Sequence, residues 1–238
     1  MPASSPRPRR RHAERARVET PRERPAKGRR PASSEGSDEL RRLAGRDSVR
    51  AVHALQAAAD AYQAGRERDA LRQLRPLVTG YPDAAAVREL AGLAHYRLGN
   101  YRAAQRELDA FAGLTQSTEQ HPVLMDCARA LGQFRRVEQL WHELGEATPS
   151  AALVTEGRIV MAGALADRGR REQAIALLEK RAGTGRTRPA EHQLRLWYAL
   201  ADLYERAGDL PRARALFRSV AKADPGFADV SARRAALG

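Results

Sequence analysis

The chain reads as an all-α protein, an α-solenoid of about five helix–turn–helix repeats behind a basic, proline-rich arm. Three observations carry that reading. Between Leu194 and Phe227, the residues Leu194, Trp197, Leu200, Ala201 and Tyr204 recur at three- and four-residue steps, Gly208 interrupts, and Ala213, Leu216, Phe217, Val220 and Ala221 resume the spacing. That is the apolar stripe of one helix, a turn, and the stripe of a second. Second, glycines at 65, 99, 132, 169 and 208 divide the chain at intervals of 34, 33, 37 and 39 residues. Seven residues before them stand Ala58, Gly92, Met125, Ala162 and Ala201; five after them Ala70, Ala104, Val137, Ala174 and Ala213; nine after them Leu74, Leu108, Trp141, Leu178 and Phe217. A small residue on each helix lets two axes cross closely, and one hairpin alone cannot bury its apolar face, so neighbours must stack. Third, residues 1–37 are a different material, with prolines at 2, 6, 8, 21, 25 and 31 and hardly an apolar side chain.

Taken in order, the arm cannot offset its ordering entropy by burial, which predicts disorder over residues 1–37. Ser37, Asp38 and Glu39 suit the start of a helix, where a hydroxyl caps and carboxylates meet the positive end of the dipole. Gly45 interrupts that helix, and Asp47 or Ser48 is placed to cap the one running to Ala64. The array proper spans 38–238. Its repeats fall at about 48–83, 84–116, 118–150, 151–187 and 190–227, with a capping helix in 228–238. The first turns Leu71, Leu74, Leu77 and Val78 inward and closes at Pro82; the second carries Leu90, Leu93, Tyr96, Leu108 and Phe111. In the third, opened by Pro122, Val123, Leu124, Ala128 and Leu131 face Phe134, Val137, Leu140, Trp141 and Leu144. Thr148, Pro149 and Ser150 cap the next helix, whose repeat uses Ile159, Ala162, Leu165, Ile175 and Leu178. The stretch from Gly183 to Pro189 is glycine-rich and basic, but it lacks the G-x4-G-K-[ST] spacing and any preceding strand, so it reads as a hinge. In the fifth repeat Gly208 closes the first helix and Pro211 sits early in the second, where its missing N–H costs nothing. Val230 to Leu237 forms the capping helix, with its arginines turned to solvent.

Composition narrows the function classes. The formal net charge is +13, yet only Lys27, Lys180 and Lys222 of the 42 basic residues are lysine, a bias that discounts arginine count as a nucleic-acid signal. The arm holds eleven Lys and Arg against Glu14, Glu19, Glu23 and Glu35, a net of +7. Two readings stand for it: a non-specific tether for nucleic acid or an acidic partner, or a solubilising tail, which the lack of stacking aromatics favours. Cys127 is the one cysteine, so no intrachain disulfide forms. No apolar run approaches the ~20 residues that span a bilayer, no apolar segment follows the basic N-terminus as in a secretory signal, and the expected location is cytoplasmic. The histidines at 12, 53, 95, 121, 142 and 192 are scattered, without metal-ligand spacing. His95 occupies the slot of Tyr204 and reads as a packed aromatic substitute. There is no G-x-S-x-G and no dinucleotide fingerprint. The expectation is a non-enzyme without cofactor or metal. Glu138, Glu179 and Asp229 read as exposed, salt-bridged surface.

The pattern of Trp197, Leu200, Ala201, Tyr204, Gly208, Ala213, Phe217 and Pro225 resembles the tetratricopeptide repeat (TPR), whose signature is W-x2-L-small-x2-Y, A-x3-F and a closing proline. The segments His121–Cys127 and His192–Tyr204 are also similar to a group of single-domain TPR proteins of actinobacteria. The resemblance implies a right-handed superhelix whose concave groove, lined by the first helix of each repeat, binds a protein or peptide. It speaks against the subset that grips chaperone tails: Leu55, Ala59 and Leu90 stand where that subset has Lys and Asn, and Ala199 replaces its Arg although Arg195 is basic.

On the implied groove face, Glu119, Asp126, Glu156, Asp167, Asp202 and Glu205 of the last three repeats outnumber Arg129, Arg195 and Arg206, leaving −3. In the first two repeats Glu89 and Arg97 cancel, beside Tyr62, Tyr96 and, further on, Tyr198. The candidate partner-binding residues are therefore Tyr62, Tyr96, Arg97, Asp126, Arg129, Asp167, Tyr198, Asp202, Glu205 and Arg206. Two interpretations are open: ordinary charge scatter, or a groove that prefers a basic segment, for which the arm could compete in cis. The expected function is a scaffold or adaptor binding a protein or peptide, and the alternative is a nucleic-acid-associated factor acting through the arm.

Overall fold

Five glycines pace the structure. Gly65, Gly99, Gly132, Gly169 and Gly208 all adopt φ between +72° and +83°. At each, an N–H from the turn returns to a carbonyl of the preceding helix, as Arg66 does to Ala61 (2.9 Å) and Asp209 to Tyr204 (2.9 Å). A side chain is strained in that left-handed region, which is why the punctuation residue is glycine. The computed structural model describes residues 34–147, 149–183 and 189–238. Residues 1–33 of the expected arm lie outside these, and so does the nucleic-acid reading that rests on the arm.

Among the described residues the order is α1 (Ser34–Ala44), a 3-10 turn (Gly45–Asp47), α2 (Ser48–Gln63), α3 (Glu67–Gly80), α4 (Ala85–Arg97), α5 (Tyr101–Thr115), α6 (His121–Ala130), α7 (Phe134–Glu146), α8 (Ala151–Asp167), α9 (Arg171–Glu179), α10 (Glu191–Ala207), α11 (Leu210–Ala223) and α12 (Val230–Leu237). Helices α2 to α11 form five hairpins. The first helix starts at Ser34, ahead of the expected Ser37, because Gly36 joins Leu40 and Ala44 on its buried side. Asp47 precedes α2 without a side-chain cap. The caps of two later helices are made: Ser150 Oγ accepts from the Leu153 amide (3.3 Å) and Asp209 Oδ1 from the Arg212 amide (3.1 Å).

The crossing positions are close-packed. Ala58, Ala70, Ala104, Ala174, Ala201 and Ala213 are buried, as are Leu74, Leu108, Leu178 and Phe217 nearby. At Gly92 an added methyl would sit 2.5 Å from Leu108 Cγ, so α4 and α5 touch without room for a side chain. Trp141 departs from the pattern and is only half-buried. It lies with Met161, Leu165 and Leu177 along a shallow cavity between α7, α8 and α9.

Each second helix packs on the next first helix, and the first helices also pack on one another: α2 on α4, α4 on α6, α6 on α8 and α8 on α10. Among the described residues the second helices make no comparable contact with one another. A stack whose first helices sit closer together than its second helices curves with the first helices inside. Helix α12 continues the stack against α11. Helix α1 does not: it packs on both α2 and α4, a pair that no helix preceding the array in regular register would reach.

Candidate functional site

The face formed by the first helices holds a relay of charged and aromatic contacts that runs from repeat to repeat. Between the first two hairpins the Arg97 guanidinium lies 3.7 Å over the Tyr62 ring, donates to the Tyr62 carbonyl (2.9 Å) and approaches Glu67 (3.5 Å). Tyr96 continues the relay by donating its hydroxyl to Asp126 Oδ2 (2.7 Å) on α6. Asp126 also accepts from Arg129 Nε (2.9 Å), and Arg129 Nη1 stands 3.6 Å from Asp167 at the end of α8. Both members of the Asp126–Arg129 pair are buried, so each charge depends on the other for the stabilisation it lost on leaving water. Between α8 and α10, Arg195 Nε pairs with Glu156 (2.8 Å). Burial raises the Glu156 pKa, against the pull of Arg195.

The relay ends in the capping helix. Asp202, at 3% exposure, meets Arg206 Nε (2.9 Å) and the Arg233 guanidinium. Arg233 also reaches Glu205 (3.1 Å) and lies 5.5 Å from the centre of the Phe217 ring. Tyr198 donates to Asp229 and packs edge-on against Phe217 and tilted against Phe227. Burial pushes the Tyr198 hydroxyl up to about 12, and the bond to Asp229 adds to that effect. The expectation that the arginines of α12 face solvent holds for Arg234 and fails for Arg233. A carboxylate as buried as Asp202 draws in a second cation, and Arg233 is within reach.

The ten sequence-derived candidates fall into three separate groups of contacts: Tyr62 with Arg97; Tyr96 with Asp126, Arg129 and Asp167; and Tyr198, Asp202, Glu205 and Arg206 around Asp229 and Arg233. The carboxylates are not a free acidic strip: Asp126, Asp167, Asp202, Glu205 and Glu156 each meet an arginine of this chain. With Arg233 included, four arginines stand against the six carboxylates counted on that face.

Residues 194–237 match the tetratricopeptide repeat family. Among solved structures, the chain is similar to TTC0263, a thermophilic TPR protein of Thermus thermophilus, with TM-score 0.60 and 21% identity over 79% of this chain and 98% of that one. It is similar to a tetratricopeptide repeat protein of Parabacteroides merdae ATCC 43184, with TM-score 0.60 and 16% identity over 85% and 78% of the two chains. MamA gives TM-score 0.50 and 16% identity over 71% and 94%. No curated protein matches the sequence. The array has the fold of a tetratricopeptide-repeat solenoid.

Within this TPR solenoid several linking residues escaped the sequence reading. Glu107, 3% exposed on α5, takes Arg88 of α4 at 2.6 Å, and Glu89 accepts from Gln120 at 2.8 Å. Tyr204 donates to Glu179, with Arg212 lying 4.3 Å over its ring, and Trp197 donates to the Ala182 carbonyl. The usable signal for Tyr204 and Trp197 was their polar tip on an otherwise buried ring, which demands a partner. His95, in the slot that Tyr204 fills, is half-buried and burial lowers its pKa, consistent with a neutral packed ring. Among the described residues no three His, Cys, Asp or Glu side chains gather as a metal site, and no helix is long and apolar enough to cross a membrane.

Proposed function

We propose that this chain is a non-catalytic adaptor that binds a protein or peptide segment along the inner face of its first helices. The observation that carries the reading is the continuous stacking of α2, α4, α6, α8 and α10, which makes one elongated surface out of five repeats. Such a surface suits an extended or helical chain better than a small molecule. Its carboxylates are committed to intramolecular arginines, so a basic segment would have to exchange with Arg129, Arg206 or Arg233. Selection therefore rests on shape and apolar contact more than on net charge. The ten candidates contribute by holding the spacing between repeats, with the exposed Asp167 and the part-exposed Glu205 and Arg206 the ones best placed to touch a ligand.

The test is a peptide selection on the immobilised full-length chain. Selected peptides should lose at least tenfold in affinity on Arg206→Glu or Asp167→Arg and keep it on Arg218→Glu, an exposed position of α11. The reverse pattern would place the binding surface on the second helices and defeat the proposal.

A further inference from the structure

The position of α1 identifies a site within that face. Helix α1 packs on α2 and α4, the first helices of two successive repeats, whereas α3 between them makes no comparable contact with it. Elsewhere in the array no helix skips a repeat in this way: the hairpin partner, the next first helix and the adjacent first helices account for every other close pairing. A helix that touches two first helices and not the second helix joining them lies on the side away from α3, which is the inner face. Leu40 and Ala44 join the apolar cluster of this end of the array, with Ala51, Leu55 and Ala59 of α2, Ala70, Leu74 and Leu77 of α3, and Ala86 and Leu90 of α4.

The hold is narrow. Only Gly36, Leu40 and Ala44 of α1 are buried, at steps of four, and Leu40 is the one large side chain among them. Leu43 is 46% exposed. The connection to α2 is the three-residue turn Gly45–Asp47, exposed throughout, with Gly45 at φ +50°. An apolar stripe of this width is the signature of a helix laid in a groove.

We propose that the α2–α4 part of the inner face is a binding site for a partner helix with a small–x3–Leu–x3–small stripe, and that α1 is its built-in occupant, released about the Gly45–Asp47 turn when a competing helix arrives. The proposal rests on the inner-face reading above and names its ligand class. Docked α1 lowers the apparent affinity for a competitor by the fraction of chains in which the groove is open. Weakening α1 must therefore strengthen binding in trans, and the low protection of α1 in the unaltered chain is what separates a releasable occupant from a helix of the core.

A fluorescent peptide of residues 34–46 is titrated into the full-length chain and into full-length Leu40→Asp, with the Leu40→Asp peptide as control. Binding to Leu40→Asp at least tenfold tighter than to the unaltered chain, and none of the control peptide, is the expected result. Hydrogen exchange in the unaltered chain should also show α1 amides at least tenfold less protected than those of α4. Equal affinity for both chains, or binding to neither, overturns the proposal. If Leu40→Asp loses its helical signal, Leu40→Ala takes its place, and loss of the fold there too makes α1 part of the core and equally overturns it. A second copy supplying α1 would appear as dimerisation of the unaltered chain without added peptide, and also counts against a cis occupant. The selection read at Asp167 and Arg206 tests the general reading independently, since those positions lie on α8 and α10.

Discussion

Arg233→Ala removes one side chain from the last turn of the relay, and its cost can be worked from the contacts. Asp202, 3% exposed, loses one of its two arginines and keeps Arg206 at 2.9 Å. A hydrogen bond to a buried charge contributes about 1.5–3 kcal/mol. Glu205 and Asp229 are more exposed, so losing Arg233 at 3.1 and 3.8 Å adds about 0–1 kcal/mol between them after solvent screening. The distant stack on Phe217 adds about 0.5 kcal/mol. The expected destabilisation is about 2–4 kcal/mol, concentrated in α12 and α11 because a repeat array opens from its ends. Urea unfolding followed by circular dichroism gives the magnitude, and hydrogen exchange gives its place. Arg234→Ala, one residue on and exposed, should stay within about 0.5 kcal/mol. A double-mutant cycle with Asp202→Asn should show coupling of at least about 1 kcal/mol. Equal effects at Arg233 and Arg234, or no coupling, would show that the cap is not held by this cluster.

Three further outcomes are expected. Ala213→Leu, at a fully buried helix crossing, should cost about 1–3 kcal/mol by overpacking, whereas Arg218→Ala on the exposed side of the same helix should stay within about 0.5 kcal/mol by the same urea assay. Gly92→Val should destabilise α4 and α5 by a similar amount, read as faster exchange of their amides, since Leu108 leaves no space for a side chain. Tyr198 and Tyr204 are both pushed up to about 12. In the unfolded chain a tyrosine loses its proton near pH 10, so the unfolded state binds fewer protons between pH 10 and 12 and stability falls across that window. Phenolate absorbance, with each ring assigned by its Phe variant, should place the Tyr198 and Tyr204 midpoints well above 10, and midpoints near 10 for these two would refute the assignment of buried, carboxylate-bonded hydroxyls.

The backbone plan was legible because it is written locally. A glycine at φ +72° to +83° ends each first helix, and the small residues at fixed offsets from it are those that become fully buried. The relay was half legible. Asp126 and Arg129 lie one helical turn apart and could be placed on one face, but the pairing of Asp202 with Arg233 spans 31 residues and depends on how α12 docks. An arginine on a short terminal helix carries no local mark that separates it from its solvated neighbour Arg234. The place of α1 was not legible either. Gly36, Leu40 and Ala44 announce a narrow apolar side, yet nothing in their spacing says which surface it covers, and only the tertiary contact with α4 sets α1 on the inner face. Trp141 shows the converse limit: its register slot promised burial, but the ring is only half-buried, with Arg158 5.5 Å over it and a shallow cavity beside it.

Site-specific photo-cross-linking in cells tests the central claim most directly. A photoreactive residue is placed at Asp167 or Arg206, on the first helices where binding is proposed, and at Arg218 of α11 in the full-length chain. The account predicts one discrete polypeptide adduct from both inner positions, none from Arg218, and stronger adducts near α2 and α4 once Leu40 is replaced by Asp. Adducts from Arg218 alone, or adducts to nucleic acid from the inner positions, would contradict it.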